Sequence, residues 1–543
     1  MMTEFPEAAD SRSQGEVPTG EPRLLRALGR PEAVAMVVGN VIGSGIFFKP
    51  PQIAADVGSV PVALAAWILG GILCLLGASC VAELSAMFPR AGGLYVYIRE
   101  AYGKLPAFLY GWTEFWVLRP AAIGALATVL TLPLPVPEAV RLSISVAVVV
   151  LLGWVNIMGV VWGGLVQNVT TLIKAGFLAG IAVLPLVLGG WEVEHFSSVL
   201  STEPNESGLV GFGLALLAVL WAYNGWHEVT PLAEEIVDPQ RNIPWALFAG
   251  VGILTALYVG VNVAYHGVLS MDELAEQKNA ATGLMNRLFG PVGGRIMTGL
   301  VMCSVFGGIN SVMLQSPRIF YAMGRDRCFF SFLGRVHAVR RTPAYSIGAQ
   351  TTLAVVLLVF VRFIPHGEIA QPLKAVPAGL EIPSDRAERW SLRPTSTSGA
   401  GETRVSPGQE GTLAFEGTPM GWKEKTELES LSEDGDYRDA LQALYDRSNK
   451  QTFESLTNFF IFGASIFYVL TVAAVIILRR RLPDLARPYR TWGYPWVPVA
   501  FLTVYVWFLA TIAVARPWES GIGLALIATG VPAYLLWIRR SAA

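Results

Sequence analysis

Charged residues are scarce in this chain of 543 residues: they make up 15%, where soluble globular domains carry about a quarter. The formal net charge is −1, so no basic surface for nucleic acid is indicated. Cysteine is rare too, and four in the whole chain exclude a disulfide scaffold. No CxxC pair and no Cys/His spacing suits zinc, so we predict no metal site and no cofactor.

Motifs of enzymes and ATP-driven pumps are also missing. GK occurs only in YGKLP, without the upstream glycine and the following Ser/Thr of a phosphate-binding loop. There is no GxSxG elbow, no HExxH and no GxGxxG that opens a helix after a strand. The five histidines are scattered. We therefore predict no catalytic residues and no enzyme activity.

Apolar sequence, in contrast, is abundant. Hydrophobic residues make up 53%, and the mean hydropathy is +0.49. A helix that crosses a bilayer needs ~20 mostly apolar residues, and the chain holds about twelve such stretches. We place them at 33–55, 61–88, 105–130, 141–161, 166–189, 209–236, 245–269, 289–321, 345–364, 455–479, 495–516 and 520–538. The chain is thus predicted to be an all-α integral membrane protein.

Basic residues cluster before the first span, after spans 2, 8 and 10, and at the end of the chain. Because cytoplasmic loops are enriched in Lys and Arg, both termini are predicted to be cytoplasmic, in a multi-pass protein of the cell (plasma or inner) membrane. Residues 1–30 are polar and rich in Pro, Gly and Glu, which predicts a disordered cytoplasmic tail.

A polar insertion at 366–450 separates the first nine spans, in 31–365, from the last three, in 451–543. Topology predicts that this insertion is extracytoplasmic. Its end, 424–449, has a helical pattern, with one face formed by Leu441, Leu444 and Tyr445. A small external subdomain and a disordered loop both fit, since loops of this length are usually functional or disordered.

Two spans carry helix-breaking residues in their middle. Span 1 reads VVGNVIGSGIFFKPP and span 6 reads LAVLWAYNGWHEVTPLAEEIVDP. Glycine costs a helix ~1 kcal/mol and proline ~3 kcal/mol relative to alanine. Freed backbone groups in lipid cost several kcal/mol more, so broken helices are expected only where they line a cavity or bind something.

The two breaks lie five spans apart, as in an inverted repeat of spans 1–5 and 6–10 with a substrate site between them. The N-terminus of a half-helix offers N–H groups to a carboxylate, and free carbonyls accept from an ammonium. Such a site suits a zwitterionic amino acid. The alternative is that glycine-rich helices merely pack closely.

Six segments in this order resemble the amino acid–polyamine–organocation transporter superfamily, especially its L-type amino acid transporter branch and bacterial relatives. They are GNVIGSGIF (39–47), AELSAMFPRAGGLYVYIREAYG (82–103), GWTEFWVLRPA (111–121), WAYNGWHEVTPLAEEIVDPQRNIP (221–244), NSVMLQSPRIFYAMGRD (310–326) and LRRRLPDLARPYR (478–490). The resemblance implies a LeuT-type five-plus-five inverted repeat with discontinuous helices 1 and 6 and two extra helices. It also implies a secondary active transporter that moves L-amino acids by alternating access.

The resemblance further implies a substrate site. The N–H groups of Ser44 and Gly45 would bind the carboxylate, and the carbonyls of Ile42, Trp221 and Asn224 would bind the amine. Trp221 stands where the family has a bulky aromatic residue, usually Phe, that closes the site from outside.

Gly225 and His227 complete the predicted substrate-binding set. His227 stands where the L-type branch commonly has Asn. It contacts the substrate, titrates near neutral pH or serves as a structural residue, and all three interpretations stay open. Asn224 stands where Gly is common, so a side chain is added beside the amine site.

Lys174 lies well inside span 5. A charge at that depth costs at least ~2.5–3.5 kcal/mol, which marks pathways and ion pairs. In the family, a lysine here resembles a stand-in for sodium, which implies sodium independence; a coupled proton is the open alternative. Arg119 and Glu114 are five residues apart and do not share one ideal helical face, so their pairing is left open.

Acids and arginines near the cytoplasmic ends of the spans are predicted to form ion pairs that lock an inner gate. They are Glu83 with Arg90, and Glu234 and Glu235 with Arg241. Eukaryotic L-type members resemble light chains that are joined by a disulfide bond to a single-span heavy chain. The cysteine that forms this bond lies in the loop after span 3. That loop, TLPLPVPEAVR, has no cysteine here, so we expect no linked heavy chain and a monomeric, bacterial-type permease.

Several questions stay open at this point. Exchange and proton symport both fit, so protons are a candidate coupling partner beside the amino acid and the lipid bilayer. An amine or polyamine transporter is one alternative. A sensor that binds amino acids without transporting them is another, suggested by the insertion at 366–450.

Overall fold

The computed structural model describes residues 22–197, 199–200, 208–363, 390–394, 411–415, 418–420, 462–515 and 517–542. Within these ranges nine helices are long and apolar enough to cross a membrane, and one bent helix pair adds a further span. Two shorter apolar helices, Gly208–Ala222 and Ala344–Phe360, fall where spans 6 and 9 were predicted. These stretches match the predicted spans in order, which confirms the all-α membrane class.

The helices between Arg30 and Leu188 correspond to predicted spans 1–5. They are α1 Arg30–Val41, α2 Gly45–Val57, α3 Val60–Met87, α4 Leu94–Tyr102, α5 Lys104–Thr113, a π-helical turn Glu114–Leu118, α6 Arg119–Thr131, α7 Glu138–Met158 and α8 Val160–Leu188. The boundaries follow local chemistry. For example, α2 ends at Gly58, which adopts the left-handed conformation (φ 65°) that often terminates helices.

The remaining helices carry predicted spans 6–12. They are α9 Gly208–Ala222, α10 Pro239–Val268, α11 Met271–Glu276, α12 Ala280–Phe289, α13 Pro291–Gln315, α14 Pro317–Arg325, α15 Ala344–Phe363, α16 Phe462–Arg481, α17 Trp496–Ala515, α18 Pro517–Ala528 and α19 Gly530–Ala542. Short 3-10 turns lie at Val193–Ser197, Thr230–Leu232 and Ser331–Gly334. Several of these helices start with proline, whose missing N–H is unpaired in a first turn anyway.

The broken helices occupy the centre of the bundle. Helix α1 packs against α8, α10 and α13, and α2 packs against α9. Large apolar side chains on the outer helices face outward instead; Leu172 of α8, for example, is 76% exposed. This arrangement suits a bundle in lipid, where the outer surface is as apolar as the core.

The segment 22–29 is anchored to the bundle, although the sequence predicted a disordered tail up to residue 30. Leu24 and Leu28 are buried, and Leu28 forms a parallel bridge with Ile236. The backbone N–H groups of Ala27 and Leu28 both donate to the Glu235 carbonyl at 3.0 Å. Residues 1–21, for which disorder was also predicted, lie outside the described part.

A second compact unit comprises Val359–Phe460. Its described part beyond α15 is an antiparallel sheet of three strands in the order β1-β2-β3. The strands are β1 Trp390–Pro394, β2 Gly411–Phe415 and β3 Thr418–Met420, and Leu413 pairs with both Leu392 and Met420. The predicted helical face of Leu441, Leu444 and Tyr445 lies outside the described residues.

Candidate substrate site and gates

The break in the first span lies between α1 and α2. Residues 42–44 are not helical, and the two helices are bent by 43° relative to each other. Ile42 is buried, whereas Gly43 and Ser44 are partly exposed. The break therefore leaves backbone groups accessible at Gly43 and Ser44, at the start of α2.

The break in the sixth span begins where α9 ends, at Ala222, and continues as turns to the short helix at Thr230. Gly225 has φ 102°, and its carbonyl accepts from the Asn40 amide nitrogen at 2.9 Å. A Cβ atom on Gly225 would lie 2.2 Å from that nitrogen. Position 225 thus requires glycine, for its backbone conformation and for its close contact with α1.

The two breaks lie side by side. A Cβ atom on Gly45 would lie 2.6 Å from the Ala222 Cα atom, so only glycine permits this approach of α2 to α9. The Tyr258 hydroxyl bridges the breaks, because it lies 2.9 Å from the Val41 carbonyl and 3.2 Å from the Ala222 carbonyl. Tyr258 was not predicted as a site residue, since a tyrosine within an apolar helix is common.

Lys174 reaches the first break from α8. Its side-chain nitrogen donates to the carbonyls of Gly39 and Ile42, both at 3.1 Å, and the residue is only 3% exposed. The Ser304 hydroxyl donates to the same Ile42 carbonyl at 3.2 Å. A carbonyl oxygen has two lone pairs, so in this conformation both acceptor positions of Ile42 are filled by the protein.

Trp221 and Asn224 are the partly exposed residues at the start of the second break. The side-chain nitrogen of Lys49, a buried residue of α2, lies 5.3 Å from the centroid of the Trp221 ring. This distance is within the range of a cation–π interaction. The indole is thus held from the α2 side by a basic residue that was not among the predicted site residues.

His227 lies deeper than Asn224 and is 3% exposed. Its ring centroid is 4.8 Å from that of Tyr468, in an edge-to-face arrangement. The Tyr468 hydroxyl lies 3.3 Å from the Asn224 side-chain oxygen, to which it donates. Tyr468 of α16 therefore connects two of the predicted substrate-binding residues, 224 and 227.

Glu114, Arg119 and Glu228 form an ion cluster, here called the buried triad. Their side chains are 5%, 5% and 8% exposed. Arg119 donates to Glu114 through Nε and to Glu228 at 2.9 Å through one terminal nitrogen. With its side-chain oxygen and nitrogen exchanged, Gln315 would donate to the second carboxylate oxygen of Glu228 at 3.0 Å.

The π-helical turn Glu114–Leu118 explains why two residues five positions apart can pair. In a π-helix the backbone bond runs from residue i+5 to residue i, and the Arg119 N–H donates to the Glu114 carbonyl. Glu114 and Arg119 therefore lie on one face of this turn. An ideal α-helix would have separated them.

The predicted gate acids are all paired, but with arginines other than those expected. Glu83 binds Arg479, with two hydrogen bonds of 2.8 and 2.6 Å, and accepts from the Thr491 N–H at 2.7 Å. The Arg487 Nε lies 3.4 Å from the same carboxylate. The predicted partner, Arg90, instead lies 3.7 Å from Glu100.

Glu235 and Glu234 likewise pair with α14 rather than with Arg241. Arg318 makes two hydrogen bonds to Glu235, at 2.7 and 2.8 Å, and both side chains are fully buried. Arg325 lies 2.9 Å from Glu234. Arg241 is exposed at the start of α10. The pairs join segments far apart in sequence, so neighbouring positions in the chain could not reveal them.

A further ion pair joins α4 to Asp326, the residue directly after α14. Arg99 and the Tyr95 hydroxyl both donate to the Asp326 carboxylate. Burial, and then the negative charge of Asp326, raise the pKa of Tyr95 well above its usual range. Burial lowers the pKa of Arg99, but Asp326 and Glu100 raise it more, so this arginine stays charged.

Among the described residues there is no group of three or more His, Cys, Asp or Glu side chains that could hold a metal ion. The polar groups around the two breaks are instead backbone carbonyls, the side-chain nitrogens of Lys174 and Lys49, hydroxyls and the buried triad. Such an arrangement can bind a small ligand that carries both charges.

Comparison with known proteins adds three findings. The family described as amino acid permease matches residues 28–532. The serine/threonine exchanger SteT of Bacillus subtilis (strain 168) is 35% identical over 343 residues, which is 62% of this chain and 77% of that protein. The large neutral amino acids transporter small subunit 2 of Mus musculus is 28% identical over 549 residues, 98% of this chain and 84% of that protein.

Among solved structures, the chain is similar to that of Mhp1, a nucleobase-cation-symport-1 family transporter, in a closed conformation with bromovinylhydantoin bound. The sequence identity is 14%, the TM-score is 0.41, and 96% of each chain is covered.

Proposed function

The chain belongs to the amino acid permease family, and we propose that it moves L-amino acids by alternating access, without sodium, at a site between its two helix breaks. One observation carries this proposal: the two breaks adjoin each other, and Gly43, Ser44, Trp221 and Asn224 remain partly exposed there. Secondary transport of amino acids follows from the family. The site and the coupling mechanism are our proposal.

We assign the substrate carboxylate to the backbone N–H groups of Ser44 and Gly45. They open α2, and the first N–H groups of a helix have no partner within it and lie at its positive end. We assign the amine chiefly to the carbonyls of Trp221 and Asn224. The Ile42 carbonyl already accepts two hydrogen bonds, so one donor would have to move before it could bind an amine.

Trp221 is the proposed outer gate and limits the size of the substrate side chain. Its indole borders the site, and Lys49 lies over the ring. Gly225 and His227 shape the inner wall through their contacts with Asn40 and Tyr468. Glu83, Glu234 and Glu235, with the arginines that bind them, form the proposed inner gate, which has to open when substrate leaves.

Lys174 is the proposed reason for sodium independence. Its side-chain nitrogen donates to the carbonyls of Gly39 and Ile42, where a bound sodium ion would otherwise be needed to satisfy them. The family resemblance assigns the same role to a lysine at this position. Exchange of one amino acid for another is a mode that SteT has by name, and proton symport is the other.

We further propose that the protein works as a monomer in the cell membrane with both termini in the cytoplasm. The mouse relative is named a small subunit. The four cysteines here, Cys74, Cys80, Cys303 and Cys328, lie in or directly after membrane helices and are unpaired. None lies in the loop after α6, so a disulfide-linked partner at that loop has no attachment point.

The test is uptake by proteoliposomes, with a panel of labelled L-amino acids. Each amino acid is offered with an inward proton gradient and, separately, against unlabelled internal amino acid, with and without sodium. Accumulation of at least one amino acid, unchanged by removal of sodium, is expected. No movement of any amino acid would contradict the proposal, and uptake of amines or polyamines instead would favour that alternative substrate class.

A further inference from the structure

The buried triad carries an unbalanced charge. Two carboxylates, Glu114 and Glu228, face one guanidinium, Arg119, so the formal sum is −1. The other titratable groups that face it among the described residues are Tyr110 of α5, Tyr468 of α16 and His227 beside Glu228. The neutral Gln315 of α13 would add a hydrogen bond to Glu228 once its side-chain oxygen and nitrogen are exchanged. No second Lys or Arg from these packed elements balances the triad.

An uncompensated charge inside a membrane bundle is costly. The effective penalty for burying one ion is several kcal/mol even after relaxation, and ionisable groups at such depth mark ion or proton pathways. A single proton on either carboxylate would bring the triad to neutrality. Because the two carboxylates share one guanidinium, the binding of that proton is a property of the pair and not of either residue alone.

His227 supplies an independent observation at the same place. It lines the same small space as Arg119 and Glu228, it is 3% exposed, and its Nδ1 atom has no hydrogen-bond partner among the described residues. A buried imidazole nitrogen without a partner is a ready acceptor or donor for a proton in transit.

We propose that the buried triad is a proton-binding site, which takes up one proton from one side of the membrane and releases it to the other during amino acid transport. The proton adds to a carboxylate oxygen of Glu114 or Glu228 and leaves from the same pair. This inference rests on the proposed function and places proton coupling at the triad rather than at Lys174.

The triad is linked to the substrate site by short connections. Glu228 and Asn224 belong to the same non-helical segment, and Tyr468 contacts both the Asn224 side chain and the His227 ring. Protonation of Glu228 would weaken its bond to Arg119, because hydrogen bonds between ionised partners are about twice as strong as neutral ones. Proton occupancy thus changes how firmly the second break is held to the π-helical turn.

The test measures protons and amino acid together in proteoliposomes, with an internal pH-sensitive dye and labelled substrate. The readout is the ratio of protons to amino acid moved, which does not require the variants to keep the wild-type rate. We expect a fixed ratio in the wild type and in Glu194→Gln, an exposed control. We expect loss of proton movement in Glu228→Gln while labelled amino acid still exchanges. Proton movement that survives in this variant would overturn the proposal.

A second measurement covers the case in which Glu228→Gln folds poorly. Infrared difference spectra of the wild-type protein between about pH 6 and about pH 9, a range in which exposed carboxylates stay ionised, are expected to contain a carboxylic-acid carbonyl band. Glu114→Gln and Glu228→Gln are each expected to remove or shift this band, and Glu194→Gln to leave it unchanged. Absence of the band in the wild type would overturn the proton site even if amino acids are transported. A wild type that moves no amino acid would count against the proposed function instead.

Discussion

Replacing Lys174 by alanine is the sharpest perturbation of the first helix break. The variant removes the hydrogen-bond donor to two carbonyls, of which only one has a second donor. The Ile42 carbonyl keeps the Ser304 hydroxyl at 3.2 Å, whereas the buried Gly39 carbonyl loses the ammonium at 3.1 Å. Leaving one buried acceptor without a partner costs about 1–3 kcal/mol. We therefore expect the equilibrium constant for forming the correct break to fall about 5- to 150-fold, and the initial rate of uptake to fall with it.

The assay compares initial uptake rates in proteoliposomes at equal amounts of inserted protein. Ser304→Ala leaves the Ile42 carbonyl with its bond to Lys174, so it is expected to cost only about 0.5–1.5 kcal/mol, the usual net value of one hydrogen bond. Lys104→Ala is the matched control, because Lys104 is exposed, and no change in rate is expected. If Lys174→Ala transported as fast as Lys104→Ala, the assignment of Lys174 to the break would be refuted.

Three further predictions follow from individual contacts. Glu235→Gln leaves the fully buried Arg318 without a counter-charge, so we expect a loss of about 3–5 kcal/mol in stability. Thermal unfolding in detergent measures it, with the exposed Glu276→Gln as control; equal melting temperatures would contradict it. Gly225→Ala is expected to abolish uptake, whereas Gly252→Ala, whose Cβ meets nothing within 4 Å, is expected to keep it. Wild-type uptake is expected to be unchanged when choline replaces external sodium. A requirement for sodium would contradict the proposal that Lys174 makes transport independent of sodium.

The position of the breaks was predictable from sequence for a physical reason. Glycine and proline in the middle of an apolar span destabilise a helix, and lipid increases the free-energy cost of the backbone groups that they leave unpaired. The glycines at 43 and 225 therefore predicted a local structure other than a helix. Lys174 was predictable in the same way, because a charge deep in a span needs a partner. Its partners, the carbonyls of Gly39 and Ile42, belong to the break itself.

The partners of the gate acids were not predictable, because tertiary packing decides them. Glu83 was expected to bind the nearby Arg90, yet it binds Arg479, 396 residues further along the chain. The pairing of Glu114 with Arg119 was left open because an α-helix was assumed. Only the π-helical turn shows that the two side chains share a face. Such turns have no reliable sequence signature.

The most direct test of the account is whether substrate occupies both breaks. Single cysteines replace Ser44, Asn224 and, as an exposed control, Lys104, in a transporting variant whose four native cysteines are replaced by alanine. The rate of alkylation by a water-soluble thiol reagent is then measured with and without an amino acid that the protein transports. We expect slower alkylation at positions 44 and 224 when the amino acid is present, and no change at position 104. Equal rates at 44 and 224 with a saturating transported amino acid would contradict it.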